Sequence, residues 1–140
     1  MTAFRPVLVT TLGMAAALFG QDYARHALEL ENRGDAAQAR EYLLQAVQSN
    51  GNDVAAMRAY AQFLDQHRDP GARMAYDKLL AVDRTADRAA VARRLLVLDL
   101  VAGDHESAAR HLDVYRQAGG SGLRIPSPAT RRPEDRKSVV

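Results

Sequence analysis

At 140 residues, with 47% apolar and 26% charged residues, the chain has the composition of a globular protein with one modest domain. It has no cysteine, which excludes disulfides, thiolate metal sites and a cysteine nucleophile. The formal net charge of +2 owes one unit to Arg5 and another to the last six residues, and the neutral remainder gives no electrostatic case for nucleic acid or an anionic membrane.

Residues 1–20 have the pattern of a secretory signal peptide. Arg5 supplies the positive charge, and an uncharged, mostly apolar run extends from Val7 to Phe19. This run is too short to span a bilayer as a helix, which needs about 20 residues. Cleavage is expected after Gly20 or after Ala17; the alternative is a first structural helix packed on the rest of the protein. We therefore expect export to the periplasm or the extracellular space, with no stable membrane anchor after leader cleavage.

The middle of the chain repeats the same residue classes every 34 residues. One series is Tyr23, Met57 and Val91, a second is Ala27, Ala61 and Leu95, and a third is Leu30, Leu64 and Leu98. A period of this length indicates stacked helical hairpins, because a single hairpin cannot bury its apolar face alone.

Turn signals divide each repeat into two helices. Gly34 can take the left-handed conformation that ends a helix, and Asp35 can cap the helix that follows. Gly103-Asp104 repeats this signal in the third unit. Further turns are predicted at Asn50-Gly51-Asn52 and Asp69-Pro70-Gly71. The chain is therefore predicted to be all-α.

Small and large apolar residues recur at fixed places within the hairpins. The small residues are Ala27, Ala39, Ala46, Ala61, Ala72 and Ala108, and the large ones are Leu43, Tyr76 and Leu112. This arrangement resembles the tetratricopeptide repeat, which has small residues where the two helices of a hairpin approach each other. The resemblance covers residues 21–118 and implies a short right-handed α-solenoid of about three units. Two departures are Leu95 at a small position and Arg84 where a proline commonly closes the unit; the alternative is a non-repeat helical bundle.

The resemblance also implies where a partner would bind. In this family the first helices of successive units line a concave groove, which can hold a helix or an extended peptide. The groove residues carried over onto this sequence are Leu28, Glu31, Asn32, Arg58, Gln62, Asp65, Leu96 and Asp99. Ala24 and Leu28 occupy the places where one branch of the family has the Lys and Asn that grip a carboxylate, so that clamp is absent. The expected partner is another protein or a peptide.

Two patterns that suggest other chemistry have simpler explanations. His105-Glu106 and His111 are not spaced as a zinc-binding pair, which needs histidines at i and i+4, and we expect Asp104 and its neighbours to cap a helix. A basic cluster has no interleaved aromatic residues, which argues against RNA binding. It comprises Arg84, Arg88, Arg93 and Arg94. We expect no catalytic residue, no metal site, no cofactor and no nucleic-acid partner.

The C-terminal part reads as a linker followed by a foreign tail. Residues 119–134 are rich in glycine and proline, which predicts a linker. Residues 135–140 match the translation of a common sequencing adapter up to its stop codon, so we expect a non-native tail and a longer native protein; the alternative is a genuine tail. No polar capping helix follows Leu112, Val114 and Tyr115, so we expect open apolar surface there.

These observations favour a protein–protein interaction scaffold in an exported bacterial protein. The alternative is a recruitment module of an enzyme whose catalytic domain lies beyond residue 134. A small nucleic-acid-binding helical protein is the weakest of the three hypotheses.

Overall fold

The computed structural model describes residues 15–122, with side chains from residue 22 onward. Six helices account for most of this range: α1 (Ala15–Asn32), α2 (Ala36–Ser49), α3 (Val54–Gln66), α4 (Ala72–Val82), α5 (Arg88–Val101) and α6 (His105–Gln117). Each helix packs against the next in chain order, and α1 also packs against α3. The described part of the chain is therefore an all-helical array of three hairpins, the solenoid arrangement that the repeat period predicts.

The ends of the chain bear on two predictions. Helix α1 begins at Ala15, inside the predicted signal peptide, and residues 1–14 lie outside the described range. The foreign tail and all but the first four residues of the predicted linker also lie outside that range. None of the six helices is long and apolar enough to cross a membrane.

The small residues predicted at the helix contacts are buried, which confirms the helix pairing. Both Ala39 and Ala61 are fully buried, and the position that departs from the pattern, Leu95, is fully buried as well. Ala46 is only half-buried. The other predicted interior residues are also buried, namely Ala27, Leu43, Ala72, Tyr76, Ala108 and Leu112.

Helix ends follow the predicted turn signals with two differences. Gly34 and Gly103 have φ angles of +86° and +75°, which confirms their left-handed conformation. Arg68 has the same kind of φ, +54°, in the equivalent turn of the second hairpin, where sequence reasoning gave no such signal. The Asp104 carboxylate caps α6 by accepting from the Ser107 backbone N–H at 3.0 Å. Asp35 stands at the start of α2 but makes no capping hydrogen bond through its side chain, so that prediction was wrong in this detail.

The buried residues form two clusters that share helix α3. Phe63 and Ala59 of α3 pack with α1 and α2, whereas Met57 and Ala61 of the same helix belong to a larger cluster that reaches α6. Helix α3 therefore has partners on most of its circumference and is the central helix of the array.

The third hairpin docks differently from the second. Ala59 in α3 is buried, but Arg93, which lies 34 residues later in α5, is exposed. The relation is reversed for Gln62, which is exposed, and Leu96, which is buried. Helix α5 therefore turns a different side of its surface to the interior than α3 does. It packs against α4 and α6, and its backbone does not pack against α3.

The open apolar surface lies on α5 and not on α6. Leu112 and Tyr115 are buried and Val114 is half-buried, so the expectation of open surface at these residues was wrong. They pack inside the α5–α6 hairpin because α6 turns its apolar face to α5. The exposed apolar residues of α5 are Val97, Leu100 and Val101.

Candidate functional site

The eight residues predicted to line the concave groove fall into three groups. The exposed group comprises Leu28, Asn32 and Gln62. The second group, which forms ion pairs with other helices or loops, comprises Glu31, Arg58 and Asp65. The buried group comprises Leu96 and Asp99.

Leu96 and Asp99 do not line an open surface, and the prediction was wrong for both. Their exposed fractions are 2% and 1%. The physical reason is the changed docking of α5, which turns inward the side that corresponds to the groove side of α3. The sequence carries a signal of this change, because an apolar Leu96 stands where the second unit has the polar Gln62.

Asp99 is the centre of a buried polar cluster between α4, α5 and α6. Its carboxylate accepts from Arg73 Nε at 2.9 Å and contacts His111 Nδ1 at 2.5 Å. The other ring nitrogen of His111 lies 3.1 Å from an Asp77 oxygen. The nearby Ser107 hydroxyl donates to Asp104 rather than to His111, so the cluster lacks the arrangement that activates a serine nucleophile. Its contacts join three helices.

Arg58 ties α3 to the loop between α4 and α5. It donates to Asp83 at 2.8 Å and also contacts the Asp87 carboxylate. Asp83 is fully buried and also accepts from the Thr85 backbone N–H at 2.7 Å. Burial alone raises the pKa of Asp83, but the hydrogen bonds from Thr85 and Arg58 outweigh it and leave this pKa below its ordinary value. The Arg58 guanidinium is therefore committed to an internal contact.

Asp65 connects α3 with α5. It accepts two hydrogen bonds of 2.6 Å from Arg94 and one of 3.2 Å from the Tyr76 hydroxyl. The hydrogen bonds from Arg94 lower the pKa of Asp65 and outweigh its partial burial, which acts in the opposite direction. Burial, reinforced by the charge of Asp65, raises the pKa of the Tyr76 phenol to about 12.

Glu31 of α1 contacts the imidazole of His67, which follows α3. The His67 ring also lies against Phe63, with ring centroids 4.4 Å apart. With the contacts of Arg58 and Asp65, this pair makes all three partly buried charged groove residues part of the links between hairpins. The predicted groove thus retains few charges for a partner.

The basic cluster is also largely committed to internal contacts. Arg88 donates to the backbone carbonyl of Asp83 at 2.8 Å, and Arg84 donates to that of Ala81 at 3.0 Å. With Arg94 bound to Asp65, three of its four guanidinium groups contact acceptors within the protein. Within the described residues, no group of three or more His, Asp or Glu side chains is placed to hold a metal ion.

An open cavity of about 310 Å³ lies between α2 and α4, above α3, and we call it the α2–α4 groove. Its lining residues are Arg40, Leu44, Val47 and Gln48 of α2, Met57, Tyr60 and Leu64 of α3, Asp69 and Gly71 of the turn, and Met74, Ala75 and Lys78 of α4. At 100° per residue, the side of α3 that forms the floor faces away from Gln62. The α2–α4 groove is therefore a different surface from the predicted concave groove.

Sequence reasoning missed this groove, although one signal was present. Leu44 follows Leu43 and widens the apolar face of α2 beyond what contact within the hairpin requires. Leu43 is fully buried, whereas Leu44 is half-buried in the wall of the groove. On α4, Met74 is 63% exposed at the opposite wall.

No family model, curated protein or solved structure matches the chain. The functional argument therefore depends on the helical architecture and on the two surfaces described above.

Proposed function

We propose that this protein is an interaction scaffold, a short array of tetratricopeptide-like hairpins that binds another protein or a peptide and performs no chemistry itself. The observation that carries the proposal is the open α2–α4 groove, in which Met57, Tyr60 and Leu64 form an apolar floor between two helices. Open apolar surface with a polar rim is typical of protein interaction sites. The resemblance of the repeat to the tetratricopeptide unit supports the same proposal.

The concave face is the second surface on which a partner can bind. Leu28 is 55% exposed there, and Asn32 and Gln62 are exposed beside it. Its charged residues are already paired within the protein, so it offers a partner less electrostatic attraction than its sequence suggests. We therefore place the principal contact in the α2–α4 groove.

Site-specific photo-crosslinking in the cells that encode the protein tests the scaffold function. A benzophenone amino acid replaces Met74 in the α2–α4 groove or Leu28 on the concave face, and the matched control replaces Ala109, which is exposed on α6. We expect a discrete protein adduct from Met74, with none from Ala109. Absence of any adduct from both Met74 and Leu28 contradicts the scaffold proposal.

We further propose that the protein acts outside the cytoplasm. The support is Arg5, the apolar run from Val7 to Phe19 and the small residues that follow or end it. Intact-mass measurement after expression in a bacterium should give a product that lacks the first 17 to 20 residues. A cytoplasmic product that retains residues 1–20 contradicts export and favours a structural first helix.

A further inference from the structure

The α2–α4 groove has the length of a short helical contact. From Arg40 to Gln48, its α2 wall spans eight residue steps, or about 12 Å at 1.5 Å per residue. A bound helix presents side chains at i, i+3 or i+4, and i+7 over about 10.5 Å. The groove therefore accommodates one such row of three apolar side chains.

Both walls of the groove are helices, and this favours a helical occupant over an extended one. An extended peptide gains affinity by pairing its backbone with a free sheet edge, but the N–H and C=O groups of α2 and α4 are bonded within each helix. The backbone groups of an extended peptide would be left without protein partners in this groove, which costs free energy. A helix satisfies its own backbone groups and presents only side chains.

The rim of the groove carries an excess of positive charge. Arg40 on α2 and Lys78 on α4 face each other across it, and Asp69 is its one carboxylate. Arg40 pairs with Asp69 at 3.3 Å. Lys78 forms no ion pair with any described side chain from residue 22 to residue 122. The complementary charge on an occupant is therefore negative.

We propose that the α2–α4 groove binds one amphipathic α-helix of a partner protein, whose acidic side chain pairs with Lys78. This inference rests on the scaffold function proposed above. The apolar row of the partner helix lies on Met57, Tyr60 and Leu64, and the flexible Met74 side chain packs against its flank. Leu or Met side chains suit this floor, and an Asp or Glu beside the row selects the orientation of the helix.

The test uses the purified full chain and defined helical probes. The first probe is a lactam-bridged peptide of about 14 residues, with Leu at i, i+3 and i+7 and Glu beside this row. The second has Lys in place of Glu, and the third is a scrambled sequence of the first. Binding is measured by fluorescence anisotropy. We expect the Glu peptide to bind with a Kd on the order of 10 μM, about tenfold tighter than the Lys peptide.

Charge reversal at Lys78 supplies the decisive comparison. Lys78→Glu should weaken the Glu peptide by about tenfold and should restore binding of the Lys peptide. Arg93→Glu makes the same change in net charge at an exposed site on α5 and should leave both affinities unchanged. A second blocking variant, Met74→Lys, should weaken both peptides, because it places a charge over the apolar floor.

Several results would overturn the helix proposal. These are equal binding of the Glu, Lys and scrambled peptides, an effect of Arg93→Glu equal to that of Lys78→Glu, or no binding up to about 1 mM. Displacement of the Glu peptide by an equal concentration of dodecanoate would instead assign the groove to an aliphatic carboxylate. If Met74 still cross-links to a protein while the peptides fail, the scaffold function stands and only the acidic-helix assignment is lost.

Discussion

Arg94 on α5 donates two hydrogen bonds of 2.6 Å to the carboxylate of Asp65 on α3, and this pair bridges two helices whose backbones do not pack against each other. The first helices of the other adjacent hairpins, α1 and α3, pack directly. At the second junction, a charged pair thus contributes part of the contact that apolar packing provides at the first. The orientation of the third hairpin should consequently depend on polar contacts.

Arg94→Gln should destabilise the protein by about 1 kcal/mol, because it removes a bidentate ion pair. The Arg94 side chain is 45% exposed, so solvent screening keeps the cost modest. Arg93→Gln is the matched control, since Arg93 is exposed on the same helix and makes no ion pair with the described side chains. Urea unfolding curves of the three proteins measure the difference, and equal losses in both variants contradict this role for the Arg94–Asp65 pair.

The stabilising effect of Arg94 should depend on pH in a defined direction. Hydrogen bonds from Arg94 hold the folded-state pKa of Asp65 below its ordinary value of 3.8. A lowered folded-state pKa contributes stability that is present above the unfolded-state pKa and is lost as pH falls through the folded-state pKa. The stability difference between wild type and Arg94→Gln should therefore be full at neutral pH and shrink below about pH 4. A difference that grows on acidification contradicts the argument.

Arg68→Gly should stabilise the protein, in contrast to most substitutions. Arg68 is exposed and has a φ of +54°, a left-handed conformation that costs a non-glycine residue about 1 kcal/mol. The equivalent turns of the other hairpins already have Gly34 and Gly103. We expect a gain of a few tenths to about 1 kcal/mol, since glycine also loses more backbone entropy on folding. Arg68→Ala keeps the backbone strain, so an equal gain from this control would assign the effect to the side chain.

Ala39→Leu and Ala61→Leu should each destabilise the protein by about 1–3 kcal/mol, because both alanines are fully buried at close helix contacts. Ala37→Leu is the control, since Ala37 lies on the same helix as Ala39 but is exposed. Thermal melts compare the three variants with wild type. Unchanged melting temperatures for both buried positions would contradict the pairing of helices within the hairpins.

The helix pairing was predictable because it depends on local features of the sequence. The repeat period, the small residues such as Ala39 and the glycine at position 34 mark hairpins without any knowledge of how these dock. The left-handed Arg68 was not predictable in the same way, because only the tertiary structure requires that conformation in a residue with a side chain. Repetition of the turn geometry at a spacing of 34 was the one available hint.

The groove prediction failed where it assumed that all hairpins dock alike. The burial of Leu96 and Asp99 depends on how α5 faces α4, which the repeat period alone does not specify. Arg93, at the position of the buried Ala59, is too large and too polar for the standard contact and signals the change. The α2–α4 groove was harder to find, because its walls come from two helices that are not adjacent in the chain.

Asp99→Ala should be the most destabilising of the polar substitutions, at about 3 kcal/mol. Asp99 is 1% exposed and contacts both Arg73 and His111, so its removal leaves these groups without their buried partner. Asp77→Ala is the matched comparison, because Asp77 contacts the other nitrogen of the same histidine with a side chain that is 55% exposed. Its loss should cost less than about 1 kcal/mol, since water can replace an exposed carboxylate. Urea unfolding distinguishes the two cases, and equal losses would mean that the cluster does not owe its stability to the buried carboxylate.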